Sequence, residues 1–163
     1  MKLFIVLGMH RSGTSALGNA LRDSGVDMGK PSHDGSESED FVSLNGKILT
    51  HAGGDWKNPP SKKAIMATAQ KLGGSIKRVI AKNKNDEAWG FKDPRSTLTI
   101  EALIPHVETL TDDYVIYACF RKPEHVAQSL ENRGIPHKKG YRLAKEYNRR
   151  LLRFLEGWLS LNE

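Results

Sequence analysis

A chain of 163 residues with 38% hydrophobic and 27% charged side chains is ordinary for a soluble globular protein, and reads as one domain over 1–163 with enough length to bury a real core. Twenty-five lysines and arginines against 19 acidic residues leave a formal charge of +6, which suits an anionic ligand as well as plain solubility. One cysteine, Cys119, excludes an internal disulfide framework, and no apolar run approaches the roughly 20 residues a membrane helix needs.

The first predicted element is a strand over 2–8, carried by Leu3-Phe4-Ile5-Val6-Leu7. It lacks a signal-peptide cleavage pattern, so it reads as structure, in a cytoplasmic protein. Gly8-Met9-His10-Arg11-Ser12-Gly13-Thr14-Ser15 follows, opening a helix over 13–25 with Leu17 and Leu21 inward and Gly25 as a stop. Residues 27–39 have loop chemistry. Phe41, Leu44, Ile48 and Leu49 share one face of a second helix, which Gly53-Gly54 ends. Asn58-Pro59-Pro60 keeps the chain extended. Residues 61–83 are helical, with Ile65, Leu72, Ile76, Val79 and Ile80 inward, and Gly73-Gly74 weakens the middle, which leaves one helix or two open.

Ala88-Trp89-Gly90-Phe91 is a second strand, ended by Lys92-Asp93-Pro94-Arg95. A short helix covers 97–107. The clearest strand is 114–120, and Pro123 opens a helix that runs to about Arg133. Gly134-Ile135-Pro136 breaks it. A long amphipathic helix over 139–161 places Leu143, Tyr147, Leu151, Leu155, Trp158 and Leu159 on one stripe. The alternation predicts an α/β chain: a three-layer, P-loop NTPase-like fold whose small, mostly parallel central sheet is flanked by helices. Ligands of such sheets sit at the carboxyl ends of the strands, and all three strands end in polar or cationic residues.

The 8–15 segment has P-loop spacing, with Ser15 at the Ser/Thr position. A strand, a glycine-flanked turn and a helix N-terminus together make an anion site. Thr14 stands where the P-loop lysine would reach the β- and γ-phosphates of a nucleoside triphosphate. With Arg11 inside the turn, the loop suits another kind of phosphate ligand. Beyond the third strand, Arg121, Ser129 and Arg133 form a second candidate anion site. Ser129 and Arg133 are i and i+4 on one predicted helix face, tilted back towards Arg121. The plainer reading is surface arginines beside a solvated serine.

These residues resemble a known family. The 8–15 loop looks like the 5′-phosphosulfate loop of sulfotransferases that use 3′-phosphoadenosine-5′-phosphosulfate (PAPS). Arg121, Ser129 and Arg133 resemble that family's 3′-phosphate site. Trp89 through Arg95, and Glu37 through Trp56, are similar to segments of its bacterial members. The resemblance covers most of 3–133, whereas nothing after Gly140 looks like the family's C-terminal cofactor-binding loop. It implies PAPS as donor and 3′,5′-adenosine bisphosphate as product, with no metal. His10, Arg11, Ser12, Gly13, Thr14, Ser15, Arg121, Ser129 and Arg133 would bind the donor. Arg11 and Lys92 would assist transfer, Lys92 or Arg95 at the sulfonyl oxygens or an acidic acceptor. Glu37 would be the general base, with His33, Asp34 and Glu39 as rivals. The plainer reading of Lys92-Asp93-Pro94-Arg95 is a strand-end ion pair and turn.

Elsewhere the chemistry is bland. His10 packs or caps, Cys119 is a buried small residue, and the histidines have no metal spacing. The cations of the last helix form a solvated face without the interleaved aromatics of a nucleic-acid binder. The partners expected are therefore a small-molecule or glycan acceptor and a second copy of the chain in a homodimer, with no nucleic acid and no membrane. The rival functions are a P-loop nucleotide kinase, with Asp93 on Mg²⁺, and a non-catalytic nucleotide- or polyanion-binding module.

Overall fold

A computed structural model describes residues 2–33 and 36–160. Lys2–Gly8 forms β1, with Leu3, Ile5, Val6 and Leu7 fully buried. A strand apolar on both faces belongs at the centre of a parallel sheet, and β1 takes that place. β2 (Ala88–Lys92) pairs with it in parallel from Lys2↔Ala88 to Val6↔Lys92. β3 (Tyr114–Cys119) pairs on the other side from Leu3↔Tyr114 to Gly8↔Cys119, giving the order β2-β1-β3. These registers bring the carboxyl ends of all three strands to one edge.

Helices α1 (Thr14–Asp23), α2 (Glu39–His51), α3 (Lys62–Lys71), α4 (Gly73–Asn83), α5 (Ser96–Val107), α6 (Pro123–Glu131) and α7 (His137–Leu159) flank the sheet. α1 lays Leu17 and Leu21 against Phe4, Val6 and Met28 on one face. The main core, built from helices α2 to α7, lies on the other around Leu3, Ile5, Leu7, Trp89 and Phe91, where the Phe41 and Phe91 rings stack at 3.9 Å. No helix among the described residues is long and apolar enough to cross a membrane.

Several boundaries differ from the sequence expectation for local reasons. α1 starts at Thr14 because Gly13 is left-handed, with φ 96°. The 61–83 segment divides at Leu72, the C-cap of α3 and the N-cap of α4. α6 ends at Glu131, so Arg133 lies in the turn that follows and not on the helix face of Ser129. α7 starts two residues early, after Pro136. Its stripe buries Leu143, Tyr147 and Leu151, and also Phe154, while Leu159 is 52% exposed. The predicted end at Leu161 lies outside the described residues. Cys119 is half-buried, contrary to expectation, because β3 is an edge strand.

Candidate functional site

The turn between β1 and α1 is held from within and from below. Ser12 Oγ donates to Met9 O at 2.6 Å, and the Gly8 N–H donates to Thr97 Oγ1 of α5 at 2.8 Å. Arg11 adopts φ 69°, a left-handed conformation uncommon for a non-glycine residue. The turn therefore carries local backbone strain at the residue whose guanidinium faces the pocket. The first N–H groups of α1 open onto this turn, where an anion is favoured.

The β3 side meets the loop directly. Arg11 Nε donates to Ser129 Oγ at 2.8 Å, and Arg121 Nη1 donates to Arg11 O at 2.9 Å. Arg121 is tied to α7 in turn, since its carbonyl accepts from Asn148 Nδ2 at 3.3 Å. Arg133 reaches the same pocket from the turn after α6.

The β2 side contributes a buried cation. Lys92, the last residue of β2, is 1% exposed, with its stem under Gly18 of α1. Its ammonium donates to Ser15 Oγ at 3.0 Å, Ser36 Oγ at 3.0 Å and Glu37 Oε1 at 3.1 Å. These acceptors use all three of its donors and bring a positive charge to Ser15 from the neighbouring strand. Beside it, the Lys92-Asp93-Pro94-Arg95 turn is pinned through Asp93. Asp93 accepts from Asn45 Nδ2 and from Arg95 Nη1, each at 2.8 Å. Burial raises the Asp93 pKa, with Arg95 the largest opposing influence. Asp93 is fully buried, so the turn does contain the plain ion pair, and no face of that carboxylate is offered to the pocket.

His10 packs against Trp56, with ring centroids 4.3 Å apart. Its Nε2 is enclosed and has no partner in the protein. Burial first, then the charges of Arg95, Lys92, Arg133 and Arg11, push its pKa down to about 3, so the ring is neutral. An unfolded histidine takes up its proton near pH 6.5, so protons favour the unfolded chain between about 6.5 and 3. His10 therefore costs stability as the pH falls through that window. Replacing it with Phe keeps a ring against Trp56 and removes the titration. In urea unfolding at a series of pH values, the wild type should lose about 1 kcal/mol per pH unit relative to His10→Phe below about pH 6. Parallel pH profiles would show that the enclosed ring is not what titrates.

A pocket of about 450 Å³ unites these groups. His10, Arg11, Thr14, Ser15, Glu37, Lys92 and Arg133 all line it. Ser12 and Gly13 shape the turn behind it, while Arg121 and Ser129 brace Arg11 from outside. Of the rival bases, Glu39 is exposed at the start of α2 and pairs with Lys30 at 2.7 Å. His33 is exposed and does not line the pocket. Asp34 lies outside the described residues. The wall also holds Trp56, Lys57, Leu130 and Ile135, which composition and spacing did not single out. Trp56 closes the 37–56 segment that carries part of the family resemblance, and Asp55 beside it accepts from the Lys57 and Asn58 N–H groups, a turn that fixes its aromatic neighbour. Among the described residues no group of acidic, histidine and cysteine side chains could hold a metal ion. Comparison of the chain with protein-family models, curated proteins and solved structures gives no match.

Proposed function

We propose that this chain is a sulfotransferase with a P-loop-like anion site, transferring the sulfonyl group of PAPS to a hydroxyl or amine acceptor. One observation carries the reading: the two segments suited to separate phosphates touch, through Arg11 with Ser129 and Arg121 with Arg11. A ligand with a 5′-phosphosulfate and a 3′-phosphate needs such a pair of anion sites side by side. The kinase reading has no matching support, since Asp93, its Mg²⁺ ligand, is engaged by Asn45 and Arg95.

In this reading the 10–15 backbone and Arg11 hold the 5′-phosphate, and Arg121 and Ser129 take the 3′-phosphate. Glu37 accepts the acceptor's proton as the acceptor oxygen or nitrogen forms its bond to sulfur. The bond from sulfur to the bridging oxygen breaks, and that oxygen keeps the electron pair on the 5′-phosphate. Arg11 offsets the charge growing there, and Lys92 offsets charge on the sulfonyl oxygens. Trp56, Lys57 and Arg95 face the acceptor side.

Thermal shift tests the donor. 3′,5′-Adenosine bisphosphate should stabilise the protein, by about 2.7 kcal/mol at a hundred times its Kd, whereas ATP with Mg²⁺ should not. Arg121→Ala should weaken the bisphosphate at least tenfold more than 5′-AMP, which loses only the brace on Arg11. Equal effects on both ligands would remove Arg121 from the 3′-phosphate site.

A further inference from the structure

A second cavity, of about 350 Å³, lies between α3, α5 and α7 and shares no lining residue with the pocket at the loop. Leu98, Ile100 and Phe154 give it an apolar floor, each of them buried. Its rim is cationic: Lys62 from α3, and Arg149, Arg150 and Arg153 from α7. Two carboxylates answer these four charges. Glu101 pairs with Lys62, and Glu146 is shared by Arg149 and Arg150. Arg153 has neither an ion pair nor a hydrogen bond among the described residues.

Arg150 is the fixed cation of this rim. It is 18% exposed and held on two sides, donating from Nε to Glu146 at 2.6 Å and from Nη2 to Pro60 O at 2.8 Å. Its Nη1 is enclosed without any acceptor. Nη1 is closed off even from water, so what Arg150 offers the cavity is the charge of an already fixed group, whose ordering binding does not have to repeat. The size is that of a small-molecule site. A nucleotide, with its sugar and multiple phosphates, does not match so apolar a floor.

We propose that this cavity binds a compact amphipathic oxyanion: a ring or short hydrocarbon body bearing one carboxylate, sulfate or sulfonate. The body lies on Leu98, Ile100 and Phe154, and the head accepts from Arg153 within the field of the fixed Arg150 charge. The site stands apart from the loop, and its occupancy does not depend on what the loop binds.

Methyl NMR of the full chain tests this with 2-naphthoate and its neutral counterpart 2-naphthol. The carboxylate should shift the Leu98 and Ile100 methyls saturably, at least tenfold more tightly than the naphthol. Saturating 3′,5′-adenosine bisphosphate should not compete. Arg153→Gln should weaken 2-naphthoate about tenfold, because it removes a charge-assisted hydrogen bond to the carboxylate, and Arg150→Gln about threefold, because it removes a neighbouring charge. Arg153 is exposed, so that variant and the ligand pair remain decisive if Arg150→Gln fails to fold. Equal binding of naphthol, shifts centred on Trp56, competition by the bisphosphate, or an unweakened Arg153→Gln would each overturn the proposal.

Discussion

Lys92→Met is expected to lower sulfonyl transfer from PAPS about 10²- to 10³-fold while leaving 3′,5′-adenosine bisphosphate binding within a few-fold. The asymmetry follows from position. Lys92 Nζ lies 3.0 Å from Ser15 Oγ, at the first turn of α1, on the opposite side of the loop from Arg121. In the proposed reading, a charge there meets the transferring group and not the 3′-phosphate. Met keeps the length of the buried stem, so the packing under Gly18 survives. The variant does strand Glu37, whose side chain is 15% exposed and accepts from Lys92. Removing one partner of a buried pair costs up to about 3–5 kcal/mol. Glu37 also accepts from Ser32 Oγ at 3.3 Å, so the loss should fall below that range. Bisphosphate affinity measured by calorimetry, beside turnover with labelled PAPS, separates the outcomes. Loss of both would mean a collapsed loop. Loss of neither would remove Lys92 from the chemistry, whereas a wild type that binds the bisphosphate and does not turn over PAPS would favour the module that binds without catalysis.

What the sequence discloses is local, and what it conceals is contact between distant segments. The apolar run before Gly8, the glycines at 8 and 13 and the i, i+4 leucines of α1 suffice to draw a strand, a turn and a helix. The burial of Lys92 does not show in its own neighbourhood, because lysine is usually exposed. It becomes possible because Ser15, Ser36 and Glu37, from segments far from it in sequence, accept all three of its donors. Asn45 is similar. It shares the buried face of α2 with Phe41 and Leu49, where a polar residue needs partners, and finds them in Asp93, Ser96 and Thr99. Its polarity on an apolar stripe was a readable sign, though its partners were not. Arg133 fails differently. The i+4 spacing from Ser129 is real, but the helix ends at Glu131 and Gly134 turns the chain with φ 81°. The arginine reaches the pocket through a turn, not along a helix face.

Gly8→Ala should destabilise the chain by about 3 kcal/mol or more, and Gly13→Ala by only about 1–2 kcal/mol, although both sites have positive φ. At Gly13, with φ 96°, an added Cβ meets nothing within 4 Å, so only the backbone conformation is penalised. At Gly8, with φ 148°, the Cβ would sit 2.6 Å from Cys119 O and 2.8 Å from Ser12 Oγ. Neither obstacle is free to yield. Cys119 is paired with Gly8 in the β1–β3 ladder, and Ser12 is bonded to Met9 O. Relief must come from moving the strand ends apart or from lifting the Gly8 N–H off Thr97. Either motion draws the loop away from Arg121, which bonds the carbonyl of Arg11. The two glycines thus differ in kind: one permits a turn, the other lets two strand ends approach. Urea unfolding of the two variants should show midpoints well separated, with Gly8→Ala also losing bisphosphate affinity. If Gly8→Ala were no less stable than Gly13→Ala, the strand ends would have slack. The contact of Arg11 with Arg121, on which the two-phosphate reading rests, would then be adjustable and no fixed feature of the sheet edge.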